Sequence, residues 1–340
     1  MHPNSPAEEA PDDVPGIRHR TVRTNGIRMH VAEAGEGPAV LLVHGFPELW
    51  YSWRHQLTAL AEAGFRALAP DLRGYGRTEA PDTATGYTLR DNLADLTGML
   101  DALGVEQAAL VCHDQGATIG WAAAQIHPER FPAVAALGSP YAPRGERPLS
   151  DILRKNFPGK FNVALYFQEP GVAEAELDAD PARTLRMTLH ALAGEAPRGL
   201  VERWLLGTPE GSGYLEPLPD PGPPSRWCDW LTDAEFAVYV REFTRTGFTG
   251  AVRRYRAMDF DWSDLPQVGA LKVEQPALLI AGDLDSAFRF TSLDALRAGV
   301  PGLREITLLP GCGHWAQQER PDEVNARLLP FLRAWAPAAQ

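Results

Sequence analysis

The sequence is poor in cysteine, with only Cys112, Cys228 and Cys312 among 340 residues. These residues are odd in number, lie far apart and show none of the spacings of zinc ligands. The sequence therefore predicts neither a disulfide framework nor a metal centre. A reducing, cytoplasmic setting is expected for a chain with this cysteine usage.

Long apolar runs and excess positive charge are also missing. No stretch approaches the roughly 20 apolar residues that a membrane helix requires, so no membrane span is expected. Residues 1–16 are rich in Pro, Asp and Glu and lack the apolar centre of a signal peptide, and we expect residues 1–17 to be a disordered tail. The formal net charge is −12, which argues against nucleic acid as a partner.

The remaining composition is that of a globular protein, with 44% hydrophobic and 22% charged residues. Apolar strand-like runs alternate with helical runs from residue 39 to 138. This alternation predicts an α/β fold with a mostly parallel sheet and helices on both faces. It stops at about residue 140, and helix-period runs rich in Pro and Trp predict an inserted helical cap at 140–261. The core is then expected to comprise 18–139 and 262–340.

One stretch, residues 109–117, organises the chain. An apolar strand is followed almost at once by a helix, and the turn between them carries Asp114 with the small residues Cys112 and Gly116 two positions on either side. This is the form of a nucleophile elbow, in which small residues let strand and helix backbones approach closely. Taken alone, Asp114 is explained at least as well as a helix N-cap, but partners further along the chain favour a catalytic role.

Those partners follow other predicted strands. Asp285 comes after the buried strand at 276–282, and His314 lies in a glycine-rich loop after the last strand, at 305–309. The chain order of nucleophile, acid and histidine is the order of an α/β-hydrolase triad. Asp283 is an alternative acid, although Asp285 lies deeper in its loop.

The predicted triad suits attack at a saturated carbon. A carboxylate nucleophile would form an alkyl ester of Asp114, which water deprotonated by His314 could then hydrolyse, with Asp285 orienting the imidazole. The backbone N–H groups of Phe46 and Gln115 are expected to form the oxyanion hole. An epoxide leaving group would develop an alkoxide and need a proton donor. Tyrosine, with a pKa near 10, is suited to that task.

With these motifs in place, the sequence resembles the α/β-hydrolase-fold epoxide hydrolases over nearly the whole chain after residue 18. The motifs that carry the resemblance are HGFPE at 44–48, WYSWRHQ at 50–56, HD at 113–114, YFQEPG at 166–171, GFTGA at 247–251, YRAM at 255–258 and GHW at 313–315. The resemblance implies Asp114 as nucleophile, Asp285 as acid and His314 as base. It also implies that Tyr255 is one of two cap tyrosines that hold the epoxide oxygen.

Three positions depart from the family. The other cap tyrosine is expected at the position that here carries Val163, and Tyr166 one helical turn later is interpreted as a packing residue. Tryptophan often follows the nucleophile, where this chain has Gln115. Cys112 stands where glycine is usual. The first departure bears on rate and substrate, and the others mainly alter the shape of the pocket.

The resemblance implies an epoxide hydrolase that converts a small-molecule epoxide to a vicinal diol without a cofactor. An aromatic-rich cap, with Trp204, Trp227, Trp230 and Tyr239, favours an apolar epoxide. The alternatives are a dehalogenase-like hydrolase with the same Asp nucleophile and a non-catalytic ligand-binding relative. Dehalogenases are disfavoured because the residues one and four positions after Asp114 are Gln115 and Thr118, neither the halide-holding Trp nor the carboxylate-binding Arg. A monomer or homodimer is expected.

Overall fold

The computed structural model of the chain describes residues 14–289 and 292–338. Residues 1–13 of the predicted tail lie outside the described residues. The last residues of that predicted segment contact the core, because Val14 packs against it and Ile17 is buried. The N–H of Ile17 donates to the carbonyl of Val14, so an ordered turn leads into the first strand.

The centre of the described chain is an eight-stranded sheet with the order β1-β2-β4-β3-β5-β6-β7-β8. Its strands are β1 (Arg18–Thr24), β2 (Ile27–Ala34), β3 (Ala39–Val43), β4 (Arg66–Pro70), β5 (Ala109–His113), β6 (Val134–Leu137), β7 (Ala277–Gly282) and β8 (Leu303–Leu309). The pairs β1–β2 and β2–β4 are antiparallel, and all pairs from β4 to β8 are parallel. The prediction of a mostly parallel α/β sheet is confirmed.

Local sequence explains these strands. The Asn25-Gly26 turn joins β1 to β2, with φ angles of 42° and 80° that match the left-handed backbone of a two-residue hairpin. The central strands β3, β5, β6 and β7 are buried along their whole length, as continuous apolar runs in a parallel sheet should be. β5 extends two residues beyond its apolar run because Cys112 and His113 pair with Ala136 and Leu137 of β6.

The helices surround this sheet. They are α1 (Arg54–Glu62), α2 (Leu89–Ala102), α3 (Gln115–Ile126), α4 (Leu149–Asn156), α5 (Val163–Tyr166), α6 (Val172–Leu177), α7 (Pro181–Leu192), α8 (Leu200–Glu202), α9 (Asp233–Thr246), α10 (Thr249–Arg256), α11 (Met258–Asp264), α12 (Ser286–Arg289), α13 (Leu293–Gly299), α14 (Ala316–Glu319) and α15 (Pro321–Trp335). Three 3₁₀ turns lie at Trp50–Trp53, Ala84–Tyr87 and Pro224–Arg226, and a π-helical turn lies at Arg203–Gly207. No helix among the described residues is long and apolar enough to cross a membrane.

The helices of the core form two groups. α1 packs against α14 and α15, whereas α2 packs against α3. α2 begins at a capping box, in which Thr88 and Asp91 each accept a hydrogen bond from the other's backbone N–H. These local signals account for helices that the sequence predicts at nearly the observed bounds.

Helices α4 to α11 form the insert between β6 and β7. Buried polar contacts join this insert to the core: Arg54 on α1 pairs with Glu235 on α9 at 2.8 Å, and the hydroxyl of Tyr239 lies 3.0 Å from that of Ser52. Gly74 and Gly250 approach so closely that a side chain on either would meet the other's backbone. The predicted cap therefore sits directly on the core, although its exact domain bounds remain a prediction.

Candidate active site

The turn between β5 and α3 has the strained backbone expected of a nucleophile elbow. Asp114 has φ 51° and ψ −121°, a region that costs a non-glycine residue about 1–3 kcal/mol. Its neighbours make room for it. A Cβ on Gly116 would lie 2.2 Å from the carbonyl oxygen of Val43, and one on Gly45 would lie 2.4 Å from Cβ of Asp114. The side chain of Asp114 accepts no hydrogen bond from the N-terminal N–H groups of α3, so the alternative interpretation of Asp114 as a helix N-cap does not hold.

Cys112 fits at the elbow because of a glycine on the facing helix. Its side chain is fully buried, and a Cβ on Gly120 of α3 would lie 2.4 Å from its Sγ. The family usually has glycine at the position of Cys112 on the strand, whereas here Gly120 on the helix leaves the room that the Cys112 side chain needs. The departure at Cys112 leaves the turn geometry intact.

The loops after β5, β7 and β8 bring the predicted triad together. Nδ1 of His314 lies 2.9 Å from Oδ2 of Asp285, and Nε2 of His314 lies 3.4 Å from Oδ2 of Asp114. Asp285 and His314 are buried, whereas the side chain of Asp114 retains 21% of its exposure. Asp114 is thus the member of the three that a ligand can reach.

The other candidate acid, Asp283, does not contact His314. It is exposed, and its Oδ1 accepts the N–H of Gly311 at 2.8 Å. Gly138, at φ 69° after β6, leaves room for the imidazole–carboxylate pair, because a Cβ there would lie 3.0 Å from Asp285 and 3.3 Å from His314. The geometry therefore favours Asp285 as the partner of the histidine.

Opposite charges set the protonation of the site. Burial alone would raise the pKa of Asp114, but the hydrogen bond and charge of His314, the charge of His113 and the N–H of Phe46 outweigh it and lower that pKa to about 2. Burial would likewise lower the pKa of His314, but the carboxylates of Asp285 and Asp114 hold it well above its usual value. An ionised Asp114 therefore faces an imidazolium in the free protein at neutral pH.

One donor of the expected oxyanion hole already touches the nucleophile. The N–H of Phe46 donates to Oδ1 of Asp114 at 2.9 Å. Within the described residues the N–H of Gln115 makes no hydrogen bond to that carboxylate, and its role remains a prediction for the tetrahedral intermediate. Oδ1 is thus held by the backbone, while Oδ2 faces His314 and is the oxygen free to attack.

A buried network beneath the nucleophile fixes the histidine loop. Nδ1 of His113 lies 2.6 Å from Oε2 of Glu48, and its Nε2 lies 2.8 Å from the carbonyl oxygen of His314. The carbonyl oxygen can only accept, so Nε2 of His113 donates to it. Burial would raise the pKa of Glu48, but the charge and hydrogen bond of His113 outweigh it and lower that pKa. The sequence interpretation included these residues in motifs without giving them a role.

Glu319 is a second structural residue that the sequence interpretation missed. Its carboxylate accepts the N–H groups of Gly313 at 2.7 Å, Trp315 at 3.0 Å and Gly194 at 3.0 Å. These bonds brace the loop on both sides of His314 and join it to the end of α7. Burial raises the pKa of Glu319 to about 7 despite the three donors. Its position five residues after His314 gives no local sequence signal for this role.

The aromatic rings of Phe46, Phe167 and Tyr255 pack together near Asp114, and we call this cluster the roof of the site. The ring of Tyr255 lies 5.6 Å from that of Phe46 and 4.9 Å from that of Phe167, both nearly edge-on. Burial and the charge of Asp114 raise the pKa of Tyr255 well above 10, so its hydroxyl stays protonated. The structure therefore places a protonated hydroxyl and apolar rings near an ionised carboxylate.

Tyr166 is directed elsewhere. Its hydroxyl donates to Oε2 of Glu176 at 2.6 Å, and its ring contacts Phe161 at 5.4 Å. The proton of this hydroxyl is already committed to a carboxylate. This contact supports the interpretation of Tyr166 as a packing residue.

Comparisons with known proteins agree with this geometry. Residues 38–321 match the alpha/beta hydrolase fold family. The chain is 45% identical to epoxide hydrolase A of Mycobacterium tuberculosis over 92% of its own length and 96% of that relative. The crystal structure of epoxide hydrolase A from Mycobacterium thermoresistibile superposes with a TM-score of 0.88, at 44% identity, covering 94% of this chain and 99% of that one. An epoxide hydrolase from an endophytic Streptomyces gives a TM-score of 0.90, also at 44% identity, covering 94% and 96%.

The family match spans most of the chain, and these relatives are matched over nearly their full lengths. The chain belongs to the epoxide hydrolases of the α/β-hydrolase fold.

Proposed function

We propose that this protein hydrolyses small epoxides to vicinal diols through a covalent ester on Asp114. The observation that carries the proposal is the position of the ionised Asp114 carboxylate between a backbone donor and His314. An Asp at the elbow cannot act as a serine esterase does, but its carboxylate is suited to displacement at a saturated carbon. Tyr255 above it is suited to protonate the oxygen that leaves.

The first step forms the ester. Oδ2 of Asp114 attacks one epoxide carbon, and the electron pair of the breaking C–O bond passes to the epoxide oxygen. That oxygen takes a proton from Tyr255, which gives a hydroxyl on the product and a tyrosinate on the protein. The charge of Asp114 is lost in this step.

Loss of that charge prepares His314 for the second step. One of the two carboxylates that hold its pKa high has become a neutral ester, so the imidazolium can release its proton to the tyrosinate. Neutral His314 is then available as a general base, oriented by its 2.9 Å contact with Asp285. Esterification of Asp114 thus leads to deprotonation of His314.

The second step hydrolyses the ester. His314 takes a proton from water, and the hydroxide attacks Cγ of Asp114 while the N–H of Phe46 stabilises the oxyanion on Oδ1. The acyl C–O bond breaks, and the departing diol oxygen takes its proton from His314. The carboxylic acid left on Asp114 then returns a proton to His314, which restores the starting pair.

The substrate class follows from the surroundings of Asp114. The roof is built from the rings of Phe46, Phe167 and Tyr255, which offer an apolar surface and one hydroxyl. These contacts support an apolar epoxide as the substrate.

Isotope labelling tests the proposal. In a single turnover with excess enzyme in heavy-oxygen water, the diol should leave with an oxygen from Asp114, and the label should appear in the Asp114 peptide. A second turnover should then move the label into the diol. Label in the first-turnover diol and none in the peptide would show direct attack of water on the epoxide. No diol from a broad panel of epoxides would refute the activity itself.

A further inference from the structure

Tyr214 is a buried tyrosine that packs against Phe167 of the roof, and among the described residues its proton has no acceptor. The hydroxyls of Tyr87, Tyr141, Tyr166 and Tyr239 donate to protein oxygens. Tyr214 differs from them, because its hydroxyl accepts a bond from Oγ1 of Thr188 at 3.3 Å. Within the described residues that hydroxyl makes no bond in which it donates. Tyr214 is 2% exposed, so its O–H is buried with its proton uncommitted.

The ring of Tyr214 lies beside the position where a hydroxyl is missing. The N–H of Phe167 donates to the carbonyl of Val163 at 3.0 Å, so the two side chains share one face of a helical turn. Tyr214 stacks on Phe167 with ring centroids 5.5 Å apart and planes 25° apart. Tyr255 contacts the same ring edge-on at 4.9 Å. Tyr214 and Tyr255 therefore both contact Phe167, on the helix face that also carries Val163.

The loop that presents Tyr214 is held firmly. The carboxylate of Glu176 accepts the N–H groups of Tyr214 at 2.7 Å and Leu215 at 3.0 Å. A Cβ on Gly213 would lie 2.6 Å from that carboxylate, so the close approach depends on glycine. The hydroxyl of Tyr166 donates a further hydrogen bond to the same carboxylate. Tyr166 thus supports the loop of Tyr214 and is not itself free to donate.

Electrostatics connect Tyr214 to the nucleophile and to Tyr255. Burial raises the pKa of Tyr214, and the charge of Asp114 adds to the rise although the bond from Thr188 opposes it. The same hydroxyl adds to the rise in the pKa of Tyr255. Both hydroxyls therefore stay protonated and lie within electrostatic range of Asp114 and of each other.

We infer that Tyr214 is a second catalytic proton donor, which holds the epoxide oxygen together with Tyr255 and replaces the hydroxyl absent at Val163. The inference rests on the proposed function. As the epoxide C–O bond breaks, its electron pair passes to oxygen, and one tyrosine gives that oxygen a proton while the other donates a hydrogen bond. Thr188, whose bond occupies a lone pair of the Tyr214 oxygen, leaves the O–H to point at the substrate and acts as a positioning residue.

Ester formation in a His314→Gln background tests this directly, because that variant should form the ester of Asp114 without hydrolysing it. The probe is styrene oxide, and the rate of adduct formation is followed by quenched mass spectrometry. Adding Tyr214→Phe should slow the adduct about 10- to 100-fold, since removing one oxyanion donor costs a factor of about 10²–10³ at most sites. Phenylalanine keeps the stacking on Phe167, and an unchanged melting temperature would show that packing is retained.

Two further variants sharpen the test. Adding Tyr255→Phe to Tyr214→Phe should slow the adduct well beyond either single change, because no hydroxyl then remains over the epoxide oxygen. Thr188→Val should slow it less than Tyr214→Phe does. The matched control is Tyr141→Phe, a buried tyrosine whose hydroxyl donates to the carbonyl of Gly269, and it should remain within about twofold of the parent. Tyr75→Phe tests a rival donor, because burial and the charge of Asp114 also raise the pKa of Tyr75, and we expect the adduct rate of this variant to stay near that of the parent.

The outcomes are distinct. An adduct rate in Tyr214→Phe within twofold of the parent would overturn the inference while leaving the proposed function intact. A large loss in Tyr75→Phe and none in Tyr214→Phe would move the second donor to Tyr75 and also overturn it. No adduct in the parent, with no diol from the wild type, would refute the proposed function and the inference together.

Discussion

Nε2 of His314 lies 3.4 Å from Oδ2 of Asp114. In the proposed mechanism, the general base of the second step is therefore the counter-ion of the nucleophile in the first. The same contact lowers the pKa of the carboxylate to about 2 and raises the pKa of the imidazole. Alkylation would convert the Asp114 carboxylate to a neutral ester and so remove this ion pair. The proposed mechanism therefore links the order of its two steps to this ion pair, since His314 would become a base only after Asp114 has reacted.

The first prediction concerns the covalent intermediate. Replacing His314 with Gln removes the base for hydrolysis, while Asp114 keeps two of the contacts that lower its pKa, the charge of His113 and the N–H of Phe46. We expect a covalent adduct of one epoxide per chain to accumulate, and peptide mass spectrometry should locate it on Asp114. The double variant with Asp114→Asn is the control and should give no adduct. Diol formation by the wild type without any adduct in His314→Gln would refute the covalent route.

The second prediction concerns stability and pH. The folded pKa of His314 lies above its unfolded value of about 6.5, so its contribution to stability is complete below that pH and is lost as pH rises through the folded pKa. We expect the free energy of unfolding, measured in urea, to fall between pH 7 and pH 9. The buried Glu319 has the same sign but acts below its folded pKa of about 7, which is why the comparison starts at pH 7.

Asp114→Asn provides the matched comparison for this pH dependence. It removes one of the two carboxylates that raise the pKa of His314 and leaves Asp285 in place. The decline of stability between pH 7 and pH 9 should therefore be smaller in Asp114→Asn than in the wild type. Equal slopes in the two proteins would mean that the Asp114–His314 pair does not contribute to folding.

Much of the core was predictable because its signals are local. Strands β3 and β7 are continuous apolar runs, the Asn25-Gly26 turn has its own backbone preference, and each triad residue directly follows a strand. In a parallel sheet such positions meet at one edge, so sequence order alone predicts that they lie close together.

Other features depend on contacts between distant parts of the chain. Glu319 braces Gly194, 125 residues earlier, and Tyr214 reaches the roof only because Glu176 holds its backbone. No periodicity or turn signal encodes such pairings. The short helices α5 and α8 of the insert are only about one turn long, and helix propensity alone does not predict elements of that length. The role of Tyr214 therefore required the structure.

The third prediction concerns the fit between Cys112 and Gly120. A Cβ on Gly120 would lie 2.4 Å from the buried Sγ of Cys112. Overpacking of this kind costs typically about 1–3 kcal/mol, partly offset by the helix propensity of alanine, so Gly120→Ala should lower the free energy of unfolding by about 1–2 kcal/mol. In a Cys112→Ala background the same change should cost less than about 1 kcal/mol. Equal costs in both backgrounds, measured by urea unfolding, would show that the two positions do not compete for space.

The fourth prediction concerns Tyr255. Its ring packs between Phe46 and Phe167, and its hydroxyl is held protonated above Asp114 by burial and by that charge. Tyr255→Phe keeps the ring and removes only the hydroxyl, so stability should change little. A developing alkoxide without its donor typically costs a factor of 10²–10³, and we expect the rate of ester formation to fall about 10²-fold. Stopped-flow or quenched-flow kinetics of ester formation should measure this directly, and a rate of hydrolysis left unchanged would locate the loss in the first step.

Tyr166→Phe is the control for that experiment. It also keeps an aromatic ring and removes a hydroxyl, but this hydroxyl donates to Glu176 and not toward Asp114. Glu176 retains the two backbone N–H groups of the Tyr214 loop, so the loop should stay in place and the rate of ester formation should remain near that of the wild type. A large loss in Tyr166→Phe with none in Tyr255→Phe would reverse the roles of the two tyrosines. The proton donor would then be Tyr166, one helical turn after Val163.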